Sequence, residues 1–450
     1  MKKYDSYKDS GIDFIGNIPS DWDRVRIKSL VSSKVTDGPH ETPEWKEEGI
    51  PFISAEAIKE SGINLDYKRG FISQEQHLEY CKKSKVYKGD ILFCKSGSTT
   101  GKSAFVTTDV EFGIWSPLAI IRADKGKVDN RYLFQFIQSS VFRSQVETGW
   151  TFGTQPNIGM GTLENLWISL PTSLEIQTQI ANYLDYKTTK IDDLITKKEN
   201  LIELLKEERT AIINQAVTKG LDPNVPMKDS GIEWLGEIPE HWIEARIKNV
   251  VTIIGRIGFR GYTTADLVDE GDGAISLSPS NIKNQKLVLE NCTYLSWEKY
   301  EESPEIKIYP DDVILVKTGS TIGKTAIITE NTPEMTLNPQ LVVMKEIKLL
   351  PKFLYFLMTS NYFQGYFKVY TAGGSTPAIS QEKINNFKIA YPSWDEQQKI
   401  VDLLEKTESR IENLSIKLNK EIELLKEYKT ALISEVVTGK VDVRDEIIKN

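Results

Sequence analysis

Two glycine-flanked lysine loops are where this sequence comes nearest to chemistry: KSGSTTGKS (Lys95–Ser103) and KTGSTIGKT (Lys317–Thr325). A loop that wraps a nucleotide phosphate in backbone N–H groups keeps four residues between its glycines, as GxxxxGK[ST]. Here Gly97 and Gly101 enclose three, as do Gly319 and Gly323. The helix that should follow is missing, because AFVTT and AIITE read as strand. ATP binding is therefore set aside. What remains is a flexible turn lined with Lys, Ser and Thr, present twice, whose groups suit DNA phosphates and base edges. A plain hairpin connection with solvated lysines would look the same at any single residue.

Other catalytic patterns are weaker still. Asp311 followed by Glu346 and Lys348 loosely evokes a metal-dependent nuclease, but the matching stretch around Asp90, Arg122 and Asp124 lacks the Glu-x-Lys. His40, His77 and His241 are scattered, so no Ser/His/Asp set or metal cluster stands out. Cys81, Cys94 and Cys292 are isolated, which excludes a disulfide framework and a Cys-type zinc site and fits a reducing cytoplasm. There is no dinucleotide GxGxxG and no Asn-Pro-Pro-aromatic sequence of the kind amino-methylating enzymes carry. The chain reads as non-catalytic.

The elements that position the loops come in duplicate. KDSGIDFIGNIPSDWDRVRIKSLV (8–31) matches KDSGIEWLGEIPEHWIEARIKNVV (228–251) at 13 of 24 positions, offset by 220. The lysine loops match at an offset of 222, and LIELLKEERTAIINQAVTKG matches EIELLKEYKTALISEVVTGK at 220. Two similar units of roughly 220 residues follow. The filling differs, for example VTDGPHETPEWKEEG against TIIGRIGFRGYTTADLV. A shared frame with divergent filling predicts two similar bodies that meet two different things.

Each unit mixes short apolar runs such as DILFC and DVILV with helical stretches, the pattern of an α+β domain. Beyond Pro171 and Pro392 the glycines and prolines vanish and a heptad appears, with Ile180, Leu184, Ile191, Leu194, Leu201 and Leu205 on the first seam and Ile400, Leu404, Ile411, Leu414, Leu418 and Leu425 on the second. Lys187, Lys198 and Glu208 on one seam can pair with Glu421 and Thr407 on the other. A helix of about 44 residues would be roughly 66 Å long, well beyond the average for a globular domain. Sequence order requires the two seams to run antiparallel, with the globular domains at opposite ends of a rod related by an approximate two-fold axis. The division expected is 1–173, a first recognition body; 174–220, a spacer helix; 221–392, a second recognition body; and 393–450, a second spacer helix and tail.

At 450 residues the chain can fill two or three cores, and 40% hydrophobic with 27% charged residues is ordinary for a globular protein. No stretch approaches a membrane span, and MKKYDSYKDSG lacks the apolar run of a secretory signal. The net charge of −8 argues at first against nucleic acid. Its distribution weakens that objection, because residues 1–150 carry 22 basic and 21 acidic groups, with Lys82, Lys83, Lys85, Lys88, Lys95 and Lys102 clustered.

Taken in order, KDSGIxxxGxIPxxW at the head of each unit, GDILFCKSGSTTGK (Gly89–Lys102), GTQPNI (Gly153–Ile158) and PSWDEQQKI (Pro392–Ile400) before a long helix resemble the specificity subunits of type I restriction–modification systems. The resemblance covers nearly the whole chain. It implies two target recognition domains, each reading half of a bipartite site in double-stranded DNA, held apart by helices on which two methyltransferase subunits dock. Restriction subunits join the full complex. It implies no cofactor on this chain, S-adenosylmethionine on the methyltransferase partners, ATP and magnesium on the motor subunits, a cytoplasmic location and no membrane. Half two departs from the pattern at GGSTPAI (Gly373–Ile379), where Thr376-Pro377-Ala378 stands for Gln155-Pro156-Asn157.

Candidate DNA-binding residues are those of the shared loops, Lys95, Ser96, Ser98, Thr99 and Lys102 with Lys317, Thr318, Ser320, Thr321 and Lys324. To these the divergent segments add Lys34, His40, Arg256, Arg260 and Tyr262, together with Gln155 and Ser375. The divergent group is expected to read bases and the loops to hold backbone. The competing reading is a coiled-coil scaffold that binds only proteins; it accounts for the repeat and the heptads but not for divergent Lys/Ser/Thr-rich loops in parallel halves.

Overall fold

The computed structural model describes residues 2–59, 62–152, 155–232, 235–329, 332–370 and 377–446. It separates into two compact units, Met1–Glu199 with Asn419–Asn450, and Asn200–Leu418. The first is therefore built from two stretches of chain and the second from one.

The core of the first unit is a four-stranded antiparallel sheet in which Ile91–Cys94 lies between Ser103–Phe105 and Leu118–Ile121, with Thr36–Asp37 on the outer edge. Every residue of the two central strands is buried, which is why both read as unbroken apolar runs rather than alternating ones. A three-stranded sheet of Gly113–Ile114, Ile50–Ile53 and Gly70–Ile72 packs beside it, with its first pair parallel. The helix Asn130–Gln138 starts where the Asp129 carboxylate accepts from the Arg131 and Tyr132 amides. It meets Ser140–Thr148 at Ser139, whose hydroxyl caps the second helix by accepting from Phe142 N.

The second unit repeats this plan. Val313–Val316 is flanked by Thr325–Ile327 and Leu341–Lys345, with Thr252–Ile254 at the edge, and the companion sheet gains a fourth strand, Leu267–Val268. The strand after each glycine loop is present as the sequence indicates, Ser103–Phe105 in one unit and Thr325–Ile327 in the other.

The long helices run Leu174–Lys219 and Trp394–Val437. Within the first unit the start of one and the end of the other lie antiparallel, joined by Lys198 to Glu421 at 2.5 Å and Lys429 to Asp192 at 2.7 Å. Within the second unit Arg209 pairs with Glu408, and Arg410 with Glu208 at 2.6 Å. The Lys198–Glu421 pairing is one the heptad read-out expects; Glu208 finds Arg410 rather than a seam residue.

Each head is closed by the end of a long helix it does not itself begin. In the second unit Ile213, Ala216 and Val217 pack with Ile238 and Trp242 in the core. In the first, Val437 O accepts from Tyr132 OH at 3.1 Å and from Ser169 Oγ at 2.8 Å, and Gly439 O accepts from Tyr7 OH. The buried tryptophans under these closures differ. Trp242 Nε1 donates to Glu396 at 3.1 Å, whereas Trp22 Nε1 is buried with no hydrogen-bond partner among the described residues. The cause is one extra residue in the first unit. Gln177 and Gln397 play the same part, each donating to the proline carbonyl before its helix, but Gln177 lies six positions after Pro171 and Gln397 five after Pro392. Ile176 consequently stands where Glu396 stands. Trp242→Phe is expected to cost about 1–3 kcal/mol, the worth of a hydrogen bond to a charged acceptor, here a partly exposed Glu396 that keeps His241 on its other oxygen. Trp22→Phe removes an orphan donor and should cost less than about 1 kcal/mol; equal losses in denaturant titrations of the two variants would contradict this.

Candidate nucleic-acid interface

The two glycine loops have one backbone design. Cys94 N donates to Lys102 O and Gly101 N to Cys94 O, just as Val316 N donates to Lys324 O and Gly323 N to Val316 O. All four glycines sit at φ between +88° and +105°, the left-handed side that a Cβ disfavours. Each loop is stitched to the segment the repeat pairs with it: Gly97 N donates to Pro156 O, and Gly319 N to Pro377 O. The prolines of GTQPNI and GGSTPAI thus do the same work despite their different neighbours. Among the described residues a strand, not a helix, follows each loop, Ser103–Phe105 in the first unit and Thr325–Ile327 in the second.

A second segment is pinned to each loop by its lysine. Lys95 N donates to Pro117 O at 2.8 Å and Lys317 N to Gln340 O at 2.9 Å. The turns that supply these carbonyls are equivalent, since Leu118 N returns to Trp115 O and Leu341 N to Asn338 O, and each turn is tied to the companion sheet through Ile53 O or Leu277 O. In the second unit this builds an open groove lined by Ser278, Ser280, Lys283, Thr318, Thr321, Lys324 and Gln340. Among the described residues no carboxylate lines it directly, although Lys283 pairs with Glu290 at 3.1 Å. Asn338, itself buried, accepts from Gln340 N and donates from Nδ2 to Gln340 Oε1 at 3.2 Å.

Electrostatics divide the loops. In the first unit Asp37, 1% exposed, takes Lys83 at 2.7 Å on one oxygen and both His40 Nε2 at 3.0 Å and Lys95 at 3.1 Å on the other. Burial alone would raise the Asp37 carboxyl; Lys83 and Lys95 outweigh it and hold the group below the usual carboxylate range. Lys95 is consequently spoken for within the protein. Strand register places Gly255 where the first unit has Asp37, and Lys317 has no ion-pair partner among the described residues. A Cβ at Gly255 would lie 2.5 Å from Gln381 Nε2 and 3.1 Å from Val342, so a side chain there would first have to displace the Gln381 amide.

The remaining candidates scatter. Ser98 and Lys102 are exposed on the first loop, Gln155 beside it and Ser320 on the second; Lys34 is exposed; Ser96, Thr99, Thr318, Thr321 and Lys324 are half-buried. His40 is exposed and bonded through Nδ1 to Ser116 Oγ at 2.9 Å. Arg256 corrects the sequence reading. It is 6% exposed, donates to Leu337 O, Thr336 Oγ1 and Arg260 O, and lies against the Tyr262 ring at 5.3 Å. Burial pulls its guanidinium below the ordinary arginine value. It is a core strut, not a base reader. Arg260 is held by Glu305 at 3.3 Å, and Tyr262 OH accepts from Ser276 Oγ, so both are partly committed as well. Ser375 lies outside the described residues.

The nuclease-like triplet is dispersed in its bonding: Glu346 Oε2 accepts from Thr252 Oγ1 at 2.6 Å, and Lys348 donates to Asn249 O. Among the described residues no three or more His, Cys, Asp or Glu gather in a way that could hold a metal ion. Burial pushes the Cys94 thiol up to about 11, far from a thiolate at neutral pH. No helix among the described residues is long and apolar enough to cross a membrane.

The sequence reading missed the turns before Leu118 and Leu341, with Trp115, Ser116, Asn338 and Gln340. The signal was there: the repeat offset grows from 222 at the loops to 223 at these strands, which marks an insertion point next to a pinned backbone.

Comparison with known proteins matches this duplicated architecture. The model of the family described as type I restriction modification DNA specificity domain fits twice, to residues 19–204 and 239–424. The MjaVIII specificity subunit of a type I restriction enzyme from Methanocaldococcus jannaschii is 28% identical over 438 residues, covering 95% of each chain. The EcoBI specificity subunit from Escherichia coli is 20% identical over 326 residues, covering 71% of this chain and 68% of its own. Among solved structures, a chain from work on assembly and conformational transition of the type I restriction–modification system superposes with a TM-score of 0.72 at 15% identity, covering 94% of this chain and 99% of that one. The HsdS subunit from Thermoanaerobacter tengcongensis gives 0.54 at 17%, covering 94% and 98%. With its two tandem specificity domains, each followed by a long helix and each carrying a pinned lysine loop, the chain belongs to the specificity subunits of type I restriction–modification systems.

Proposed function

We propose that each unit reads one half of a bipartite site in double-stranded DNA, that the long helices set the gap between the halves, and that this subunit does no chemistry itself. The observation that supports it most is the pairing of an identical loop frame with different side chains beside it. Identical frames suit phosphate contacts, which carry no sequence information, and divergent neighbours suit base edges. Two methyltransferase subunits are the partners that would act on the chosen site, bringing S-adenosylmethionine. Restriction subunits, with ATP and magnesium, would complete the assembly, which would work in the cytoplasm. An acidic subunit of net charge −8 fits a component that binds DNA well only with such partners.

The test is co-expression with the neighbouring methyltransferase followed by mapping of methylated adenines across the host genome. A split motif with a fixed gap is expected; normal complex formation with no motif would instead leave a protein-binding scaffold. Inserting seven residues in one long helix should lengthen the gap or abolish methylation. Lys102→Ala should weaken binding across all sequences and lower the salt slope by about 1, while Arg260→Ala should relax preference at defined positions. Equal effects of the two substitutions on matched and mismatched duplexes would sink that division of labour.

A further inference from the structure

The turn that presents Pro117 in one unit and Gln340 in the other combines a fixed backbone with a changed side chain. Its carbonyl is held by the lysine that opens the shared loop, its first residue is held by the companion sheet, and both hydrogen bonds recur with nearly the same lengths in both units. The side chain at this position therefore leaves the protein at the same point relative to the loop in each unit. In the second unit it is an exposed amide on the rim of a groove that also carries Lys324 and Lys283, the latter paired with Glu290 at 3.1 Å. The amide is also oriented. Asn338 Nδ2 donates to Gln340 Oε1, which keeps a second lone pair, and the Nε2 hydrogens remain on the other side. An acceptor and a donor side by side on a planar group match the N6 amino group and N7 of adenine in a major groove. In the first unit Pro117 has no polar group to offer at this point. What stands next to it is Ser116 Oγ, bonded to a His40 ring whose other nitrogen is held by Asp37.

We propose that Gln340, braced by Asn338, reads an adenine in the half-site of the second unit, and that the first unit reads its own half-site through Ser116 and His40 instead. The proposal rests on the bipartite DNA reading above and assigns the residue behind one base of it. Its consequence is a motif whose two halves differ because one turn changed its side chains on an unchanged frame.

The experiment uses the full chain assembled with its own methyltransferase. Methylated sites are mapped for the parent, for Gln340→Ala and for Gln340→Glu. With Gln340→Ala, one adenine position in one half of the motif should become degenerate, while the other half and the gap stay as they are. On duplexes differing only there, the preference for A·T should fall by about tenfold. Gln340→Glu keeps the acceptor, loses the donor, and should move the preference at that position toward cytosine, whose N4 group it can accept from. An unchanged motif in Gln340→Ala, degeneracy at a G·C position, or equal loosening of both halves would each overturn the assignment. If the parent itself yields no two-part motif, the bipartite reading falls and takes this residue with it. A two-part parent motif untouched by both variants refutes Gln340 alone.

Discussion

Replacing Asp37 by alanine is expected to cost the first unit about 3–5 kcal/mol, because it strips one buried anion from two lysines and a histidine. Lys83, His40 and Lys95 converge on a carboxylate that is 1% exposed, and truncation leaves Lys95, only 12% exposed, beside a hole with no counter-charge. The loss belongs to the first unit, since the second has glycine at the equivalent position. It should appear in denaturation as an earlier transition of that unit, and as faster amide exchange along Thr36–Asp37 and Leu118–Ile121. The pH dependence has a definite sign. The folded carboxyl titrates below its unfolded value near 3.8, so its contribution is complete above about pH 4 and is lost as pH falls through the lower folded value. The gap in stability between parent and Asp37→Asn should hold constant from pH 8 to about 5 and narrow only in stronger acid. A gap that already closes between pH 8 and 5 would contradict this assignment to the Asp37 carboxyl.

The second large effect is expected at Gly439. Its φ of +70° is left-handed, and a Cβ there would lie 2.3 Å from Pro19 Cδ and 2.4 Å from Cγ, atoms of a ring that cannot rotate aside. Gly439→Val adds roughly 1–2 kcal/mol of backbone strain to about 1–3 kcal/mol of overpacking. That total competes with the hydrogen bonds that fasten this stretch, Tyr7 OH to Gly439 O and Asp442 N to Lys2 O. Amide exchange should therefore rise together in Tyr7–Asp9, Asn17–Pro19 and the last turn of the second long helix. Gly220 provides the control. Its φ is +75°, but its nearest neighbours are Glu396 Oε1 at 3.1 Å, on a flexible side chain, and Trp242 and Pro239 atoms at 3.5 Å and beyond. Gly220→Val should cost the strain and little more. Parent-like exchange in Gly439→Val would mean that the closure relaxes more freely than its geometry implies.

Much of the architecture was legible from the sequence because it rests on local regularities. Repetition announced two units, the heptad announced the long helices, and the β-rich letters after each glycine loop announced the strands Ser103–Phe105 and Thr325–Ile327. Even one ion pair, Lys198 with Glu421, followed from seam positions. What stayed hidden depends on contacts between distant segments. Arg256 looks like a free cation in a divergent, glycine-rich stretch, but strand pairing folds it under Thr336 and Leu337. Asp37 looks like one more surface acid until the sheet edge buries it. Gln340 sits in Asn-Pro-Gln, with no period or motif to single it out, and gains meaning only once the Lys317 amide is seen to hold its carbonyl. The one-residue shift between Pro171 and Gln177 is visible in the letters, but its effect on Trp22 is not.

The discontinuity of the first unit also sets an order of events during synthesis. Asn200–Leu418 is a single stretch and can complete its own core as it leaves the ribosome. The head made earlier must wait with Trp22, Tyr132 and Ser169 uncovered until Asn419–Asn450 has emerged, a delay of roughly ten seconds or more at about 5–20 residues per second. Without those 32 residues Tyr132, Ser169 and Tyr7 lack the Val437 and Gly439 carbonyls they donate to, so the first head is the earlier of the two to be made and the later to be closed.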